Sequence, residues 1–191
     1  MLSSGPVRAR AGLAAVLLAL VVGALPSSAN AAPLPSRRQW HHDVAAAMTG
    51  WRDYLRAAVS VAGPRYAVNL DIDNTSLATH YQPGHPVKPV LRLATWAANH
   101  DVAVLFNTAR YGPGIKAGKK LLVKAGYAVT EMCGRTGVRV ALRRGKVRCR
   151  RHFVGEGYTI VANIGNNRTD FSGVKDYGRA FRLPNYGGRL G

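Results

Sequence analysis

Apolar residues recur along this chain with two periods. Over 36–62, Trp40, Val44, Ala47, Met48, Trp51, Leu55 and Val59 fall on one helical face, which predicts a single amphipathic helix capped by Ser36 and stopped by Gly63-Pro64. Beyond it, short apolar runs alternate with helical stretches. Strands are predicted over 66–70, 102–106, 127–131, 158–164 and 179–183, helices over 87–99, 114–125 and 146–156, and a small accessory strand over 138–142. This β–α alternation implies a parallel sheet covered on both faces. In such a sheet functional groups gather at the carboxyl ends of the strands. There the chain carries Asp71 and Asp73 after the first strand, Asn107-Thr108 after the second, and Gly165-Asn166-Asn167-Arg168-Thr169-Asp170 after the late one.

The first thirty-odd residues follow a different pattern. Arg8 and Arg10 precede a charge-free apolar run over 11–25, and Ala29-Asn30-Ala31 places small residues where a signal peptidase reads them. Fifteen apolar residues fall short of the roughly 20 that span a bilayer. The expectation is an exported protein with its leader, 1–31, cleaved after Ala31, an N-terminal helix over 32–62, and one α/β domain over 63–191. No membrane association is expected after cleavage.

Composition narrows the class. The 191 residues carry 27 Lys+Arg against 9 Asp+Glu, a net charge of +18, with 47% hydrophobic residues. Enough apolar surface is present to build a core, which excludes a disordered polycation. Without the leader, 25 cations face 9 acids, a net of +16. Six cations, Arg143, Arg144, Lys146, Arg148, Arg150 and Arg151, lie within nine residues. They read either as attraction of polyanions through the basic surface or as a solvated face. No nucleic-acid motif accompanies them and no aromatics are interleaved, so no specific nucleic-acid partner is expected. Cys133 and Cys149, sixteen apart in an exported chain, favour one disulfide over two free thiols.

The pentapeptide Asp71-Ile-Asp73-Asn-Thr75 is the most informative chemistry. Two carboxylates two positions apart at a strand end can divide nucleophile and proton-transfer roles. A calcium loop would need Gly and Glu where Ser76 and Gln82 stand.

Val68-Asn-Leu-Asp71-Ile-Asp73-Asn-Thr75 resembles the first motif of the haloacid dehalogenase (HAD) superfamily of phosphohydrolases, Val104-Leu-Phe-Asn-Thr108-Ala-Arg110 the second, and Ile164-Gly-Asn-Asn-Arg-Thr-Asp170 the fourth. Lys146-Val-Arg-Cys-Arg150, followed by Gly157-Tyr158, is similar to the lysine segment of that superfamily's secreted, class B-type acid phosphatases. Phe181-Arg-Leu-Pro-Asn185 is similar to their C-terminal end. The resemblance covers about 60–186 and implies a HAD-like Rossmannoid α/β fold with a small cap.

It further implies an Mg²⁺-dependent phosphomonoesterase acting on a small phosphorylated substrate. Asp71 would attack phosphorus, Asp73 would serve as acid and then base, Thr108 would donate to the phosphoryl group, and Lys146 would neutralise charge. Asp71, Asp73 through its backbone carbonyl, Asn166 and Asp170 would hold the metal. Arg110 would touch substrate phosphate or pair with a nearby acid. Asn166 departs from the family's usual Asp, which removes a negative charge beside the metal and predicts weak metal binding. The alternative is a catalytically weak, secreted, basic binding or storage-like protein on the same fold.

Overall fold

The computed structural model describes residues 1–2 and 33–190, so the predicted leader lies outside the described residues apart from its first two. Five parallel strands, β1 (Arg65–Leu70), β2 (Ala103–Tyr111), β3 (Glu131–Arg135), β4 (Tyr158–Gly165) and β5 (Arg179–Arg182), form one sheet in the order β3-β2-β1-β4-β5. The helices are α1 (Arg37–Ala47), α2 (Trp51–Ala58), α3 (Lys88–Ala98), α4 (Pro113–Lys124) and α5 (Leu142–Gly155).

The handedness of crossovers explains the layering. From β1 the chain steps outward to β2 and β3, returns to β4 on the other side of β1, and ends at β5. Right-handed β-α-β connections place helices on one face while the chain steps one way and on the other face when it steps back. Accordingly the crossover helices α3 and α4 share one apolar core with Val68, Leu70, Val104, Phe106 and Ile164 of the sheet, and α1 and α2, which precede β1, pack into the same core. Helix α5 lies across the other face with Ala67, Leu105 and Ile160. The reversal between β1 and β4 makes their carboxyl ends the switch point where such sheets bind ligands.

Several sequence expectations are corrected. The predicted single helix over 36–62 is two helices, because Gly50 adopts φ 72° and turns the chain between them. Ser36 does cap the first, accepting a hydrogen bond from the Gln39 amide. The third strand is not 127–131 but Glu131–Arg135. Tyr127 is apolar and buried in the core, yet its hydroxyl donates to the Ser76 carbonyl at 2.8 Å, and the ladder to β2 starts only at Leu105↔Glu131. No accessory strand forms over 138–142. The Arg135 guanidinium takes up the carbonyls of Val138 and Val140, and Leu142 already begins α5. Strand β2 continues five residues past Phe106, so Thr108 and Arg110 lie within a strand and not after one.

Candidate active site

Asp71 follows the last residue of β1, and its backbone N–H donates to the Ile164 carbonyl of β4 at 2.9 Å, which fixes the carboxylate at the switch point. The next turn is centred on Asn74, whose φ of 55° is left-handed, a conformation Asn tolerates better than most residues. Leu77 and Ser76 donate backbone N–H groups to the Ile72 carbonyl, and Ser76 Oγ donates to the Asp71 carbonyl at 2.6 Å. This turn swings Asp73 toward β2. There Arg110 holds it by a fork, Nη2 to Oδ1 at 2.7 Å and Nε to Oδ2 at 3.0 Å, and Thr79 Oγ1 donates to Oδ1 at 2.8 Å.

The second cluster is buried. Lys146, in the second turn of α5, places Nζ 2.5 Å from Asp71 Oδ1, 2.7 Å from Asp170 Oδ1 and 2.6 Å from the Asn107 carbonyl. Asn107 returns the contact, its Nδ2 donating to the Lys146 carbonyl at 2.9 Å. One ammonium therefore serves two carboxylates, and charges taken this far from water persist only when paired. Burial pushes Asp71 up to about 6; Lys146 opposes that rise and the charge of Asp170 adds to it. Burial also works against the ammonium, but Asp170 and Asp71 together hold Lys146 above its ordinary value. The two directions agree, because two carboxylates sharing one cation leave an excess negative charge that a proton can satisfy. Asp73 behaves oppositely: burial raises it, yet the Arg110 fork and Thr79 outweigh burial and hold it below the usual carboxylate range.

Asp170 is set by the turn after β4. Its Oδ2 accepts the Asn167 N–H at 2.8 Å while Asn167 Oδ1 accepts from Thr169, a reciprocal capping box over Arg168–Phe171. The carboxylate packs so closely on Gly165 that a Cβ there would run into it. Asn166 is buried beside this turn, with Thr75 Oγ1 donating to its Oδ1 at 3.5 Å. Thr108 is fully buried; its Oγ1 accepts the Arg110 N–H at 3.2 Å, which leaves the hydroxyl proton free to donate.

The structure thus brings Asp71, Lys146 and Asp170 into direct contact, with Asn166 alongside and Asp73 with Arg110 on the β2 side. Arg110 meets Asp73, the pairing alternative read from the sequence. Cys133 and Cys149 are joined across a Cα separation of 5.5 Å, linking β3 itself to the middle of α5. The six-cation run divides: Lys146 and Arg150 are buried, whereas Arg143, Arg144, Arg148 and Arg151 line a groove of about 860 Å³. That groove does not contain the carboxylates. A smaller one, about 540 Å³, includes Arg110, Tyr111 and Arg135.

Sequence reasoning missed the supporting polar groups. Asn69 Nδ2 donates to Asn163 Oδ1 at 2.6 Å, and Asn163 Nδ2 donates to the Asp170 carbonyl at 2.9 Å. With Asn107 they place an amide near the carboxyl end of three adjacent strands. An Asn interrupting each of three apolar runs was the available signal. Arg150 is fully buried and spends its guanidinium on Asp176 Oδ1 at 2.6 Å and on the carbonyls of Asp170 and Ser172 at 2.9 and 2.5 Å.

Residues 82–189 match the profile of the HAD superfamily, subfamily IIIB (acid phosphatase), more than half of the chain. The chain belongs to this acid phosphatase family. It is accordingly a phosphoric monoester hydrolase. Within subfamily IIIB terms, the matched segment contains Thr108, Arg110, Lys146, Asn166 and Asp170, and it begins after Asp71 and Asp73. Among solved structures, the class C acid phosphatase from Bacillus anthracis is similar with a TM-score of 0.63 and 15% identity, covering 78% of this chain and 79% of that one. This likeness bears on the fold, a parallel α/β sheet of the HAD acid phosphatase kind. No curated protein matches the chain in sequence.

The oxygen groups at the switch point suit a hard cation. Asp170 Oδ1 is buried and finds no hydrogen bond beyond the ion pair with Lys146. Among the described residues no three His, Cys, Asp or Glu side chains gather as a ligand set. Beyond Asp71 and Asp170, further donors would be the Asn166 amide oxygen and backbone carbonyls, a set that fits Mg²⁺ with little negative charge.

Proposed function

We propose that this acid phosphatase hydrolyses small phosphomonoesters through an aspartyl-phosphate on Asp71, with Mg²⁺ as cofactor, in an extracytoplasmic compartment. The observation that carries it is the buried Asp71–Lys146–Asp170 cluster at the switch point, with Asp73 one turn away. Asp71 forms an O–P bond as the ester P–O bond breaks, and Asp73 gives the leaving alcohol its proton. Water then attacks the same phosphorus, Asp73 takes the water's proton, and Asp71 is regenerated with release of phosphate.

Thr108 directs its free hydroxyl proton at the phosphoryl group, and Lys146 offsets the charge that phosphate adds beside Asp71. Arg110 opposes protonation of Asp73 while the fork is closed. An incoming phosphate offers that guanidinium a second anion, which releases Asp73 to act as an acid. When bound, Mg²⁺ supplies electrostatic stabilisation of the phosphoryl oxygens, held by Asp71, the Asp73 carbonyl, Asn166 and Asp170.

Release of phosphate from an aryl phosphate should require Mg²⁺, stop with chelator, and vanish in Asp71→Asn. Turnover indifferent to both treatments overturns the mechanism. Export is tested separately by the intact mass of the secreted protein, which should begin at Ala32; a species retaining 1–31 in the membrane fraction overturns it.

A further inference from the structure

The segment after β5 turns back onto the site. Gly188 and Arg189 donate backbone N–H groups to the Asn185 carbonyl at 3.2 and 3.1 Å, and Leu190 N–H donates to Asn185 Oδ1 at 3.0 Å, closing a compact turn. The Leu190 side chain enters the large core. Its carbonyl accepts two side-chain amides, Asn74 Nδ2 at 2.7 Å and Asn166 Nδ2 at 3.1 Å. Tyr186 adds an outer tie, its hydroxyl donating to Asp43 Oδ2 of α1 at 2.7 Å.

Each amide has one donor end and one acceptor end, so committing the donor end decides where the oxygen goes. Asn74 Oδ1 accepts the His80 N–H at 2.7 Å, which pins the loop that follows Asp73. Asn166 Oδ1 is turned to Thr75 on the active-site side. All three partners are buried, where no bulk water stands ready to replace a lost donor.

We propose that 185–190 is a latch that orients Asn74 and Asn166 through the Leu190 carbonyl, and that position 166 carries an amide because this carbonyl requires a donor. A carboxylate at 166 would set an anion against the carbonyl oxygen. The departure from the family's usual Asp is then a structural requirement of the latch, and the substitution Asn166→Asp does not act through charge alone. Asn74 and Asn166 are positioning residues here. The bearing on the cation rests on the function proposed above; the latch itself does not.

Hydrogen exchange over 184–190, read by mass spectrometry without metal or substrate, tests the latch directly. Asn166→Asp and Asn74→Asp, the same shape without the donor, should each speed exchange of the Gly188, Arg189 and Leu190 amides by at least about tenfold, with Asn166→Gln less affected. Leu122→Ala, which loosens the same core through α4, should not single out these amides. Wild-type exchange in both Asp variants overturns the proposal, as does equal acceleration by Leu122→Ala. Calorimetric Mg²⁺ titration then separates the two readings. Charge alone predicts about tenfold tighter binding in Asn166→Asp, whereas loss of the latch predicts no gain. Tighter binding with unchanged exchange leaves the metal site standing and removes the latch.

Discussion

The two faces of the sheet are stabilised by different physics. On the α1–α4 side, 25 buried apolar side chains among the described residues form one cluster, so that face is held by area removed from water. The α5 side has seven, two of them the cysteines of the disulfide, and it also carries buried Lys146 and Arg150 and the three asparagines. A charged helix cannot be held by transfer free energy alone. It is pinned instead by a covalent bond, by Arg150 on the 170–176 segment and by the Asn107–Lys146 exchange. Chemistry sits on the face with the least apolar support, and specific bonds replace bulk burial there.

The sharpest way to break this contrast is Lys146→Met. The substitution is apolar, yet it leaves Asp71 and Asp170 buried without their cation, at a cost of about 3–5 kcal/mol. The remaining folded protein should lose roughly 10²–10³ in kcat. Leu93→Ala on the opposite face should cost a comparable 2–5 kcal/mol by cavity formation while leaving kcat of the folded enzyme within about twofold. Thermal melts with single-turnover assays separate the two, and equal kcat losses would merge the faces.

Reduction of Cys133–Cys149 should cost about 3 kcal/mol, a fall in Tm of roughly 6–12 °C for a chain of this size. Because Cys149 lies three residues beyond Lys146, kcat should fall as well. A melt that shifts while kcat holds would confine the bridge to stability. Arg150→Met should cost about 1–3 kcal/mol through carbonyls left unpaired. It should also loosen Asp170, raising the Mg²⁺ concentration needed for half-maximal activity more than KM for substrate.

The smallest effect is in pH, measured as Tm in chelator. Asp71 is raised in the folded state to about 6, so it disfavours folding when ionised, and stability should rise as pH falls through 6 toward 4. Asp73 is depressed, so its contribution is present above the ordinary carboxylate range and is lost only as pH falls below it. Asp71→Asn should flatten the upper part of the curve and leave the acid fall. An unchanged profile in Asp71→Asn would place the titrating group elsewhere.

The elements legible in the sequence were those where apolar periodicity and hydrogen bonding agree, as in β1, β4, α3 and α4. Tyr127 and Val129 misled because a core side chain need not belong to a ladder. Gly50 is silent in the pattern because the apolar stripe continues across it. Asp71, Lys146 and Asp170 were named from a motif resemblance, and the structure brings them into contact. The Arg110–Asp73 fork was only one of two open alternatives, since pairing across 37 positions is set by tertiary geometry. The Leu190 carbonyl was invisible, because a backbone group carries no sequence signature.

The parallel topology also sets the order of assembly. No strand of this sheet pairs with its neighbour through a tight turn; every pairing waits for a crossover, and β1 must hold an open edge until β4 arrives with Leu70↔Ile164 in register. Such non-local pairings fold slowly. A chain emerging from its N-terminus presents Asp71, and much later Lys146, before Asp170 exists to share the ammonium. On the roles proposed for Lys146 and Asp170, phosphate-ester cleavage should switch on only with the final third of the polypeptide, and a nascent chain halted before that point should be catalytically silent.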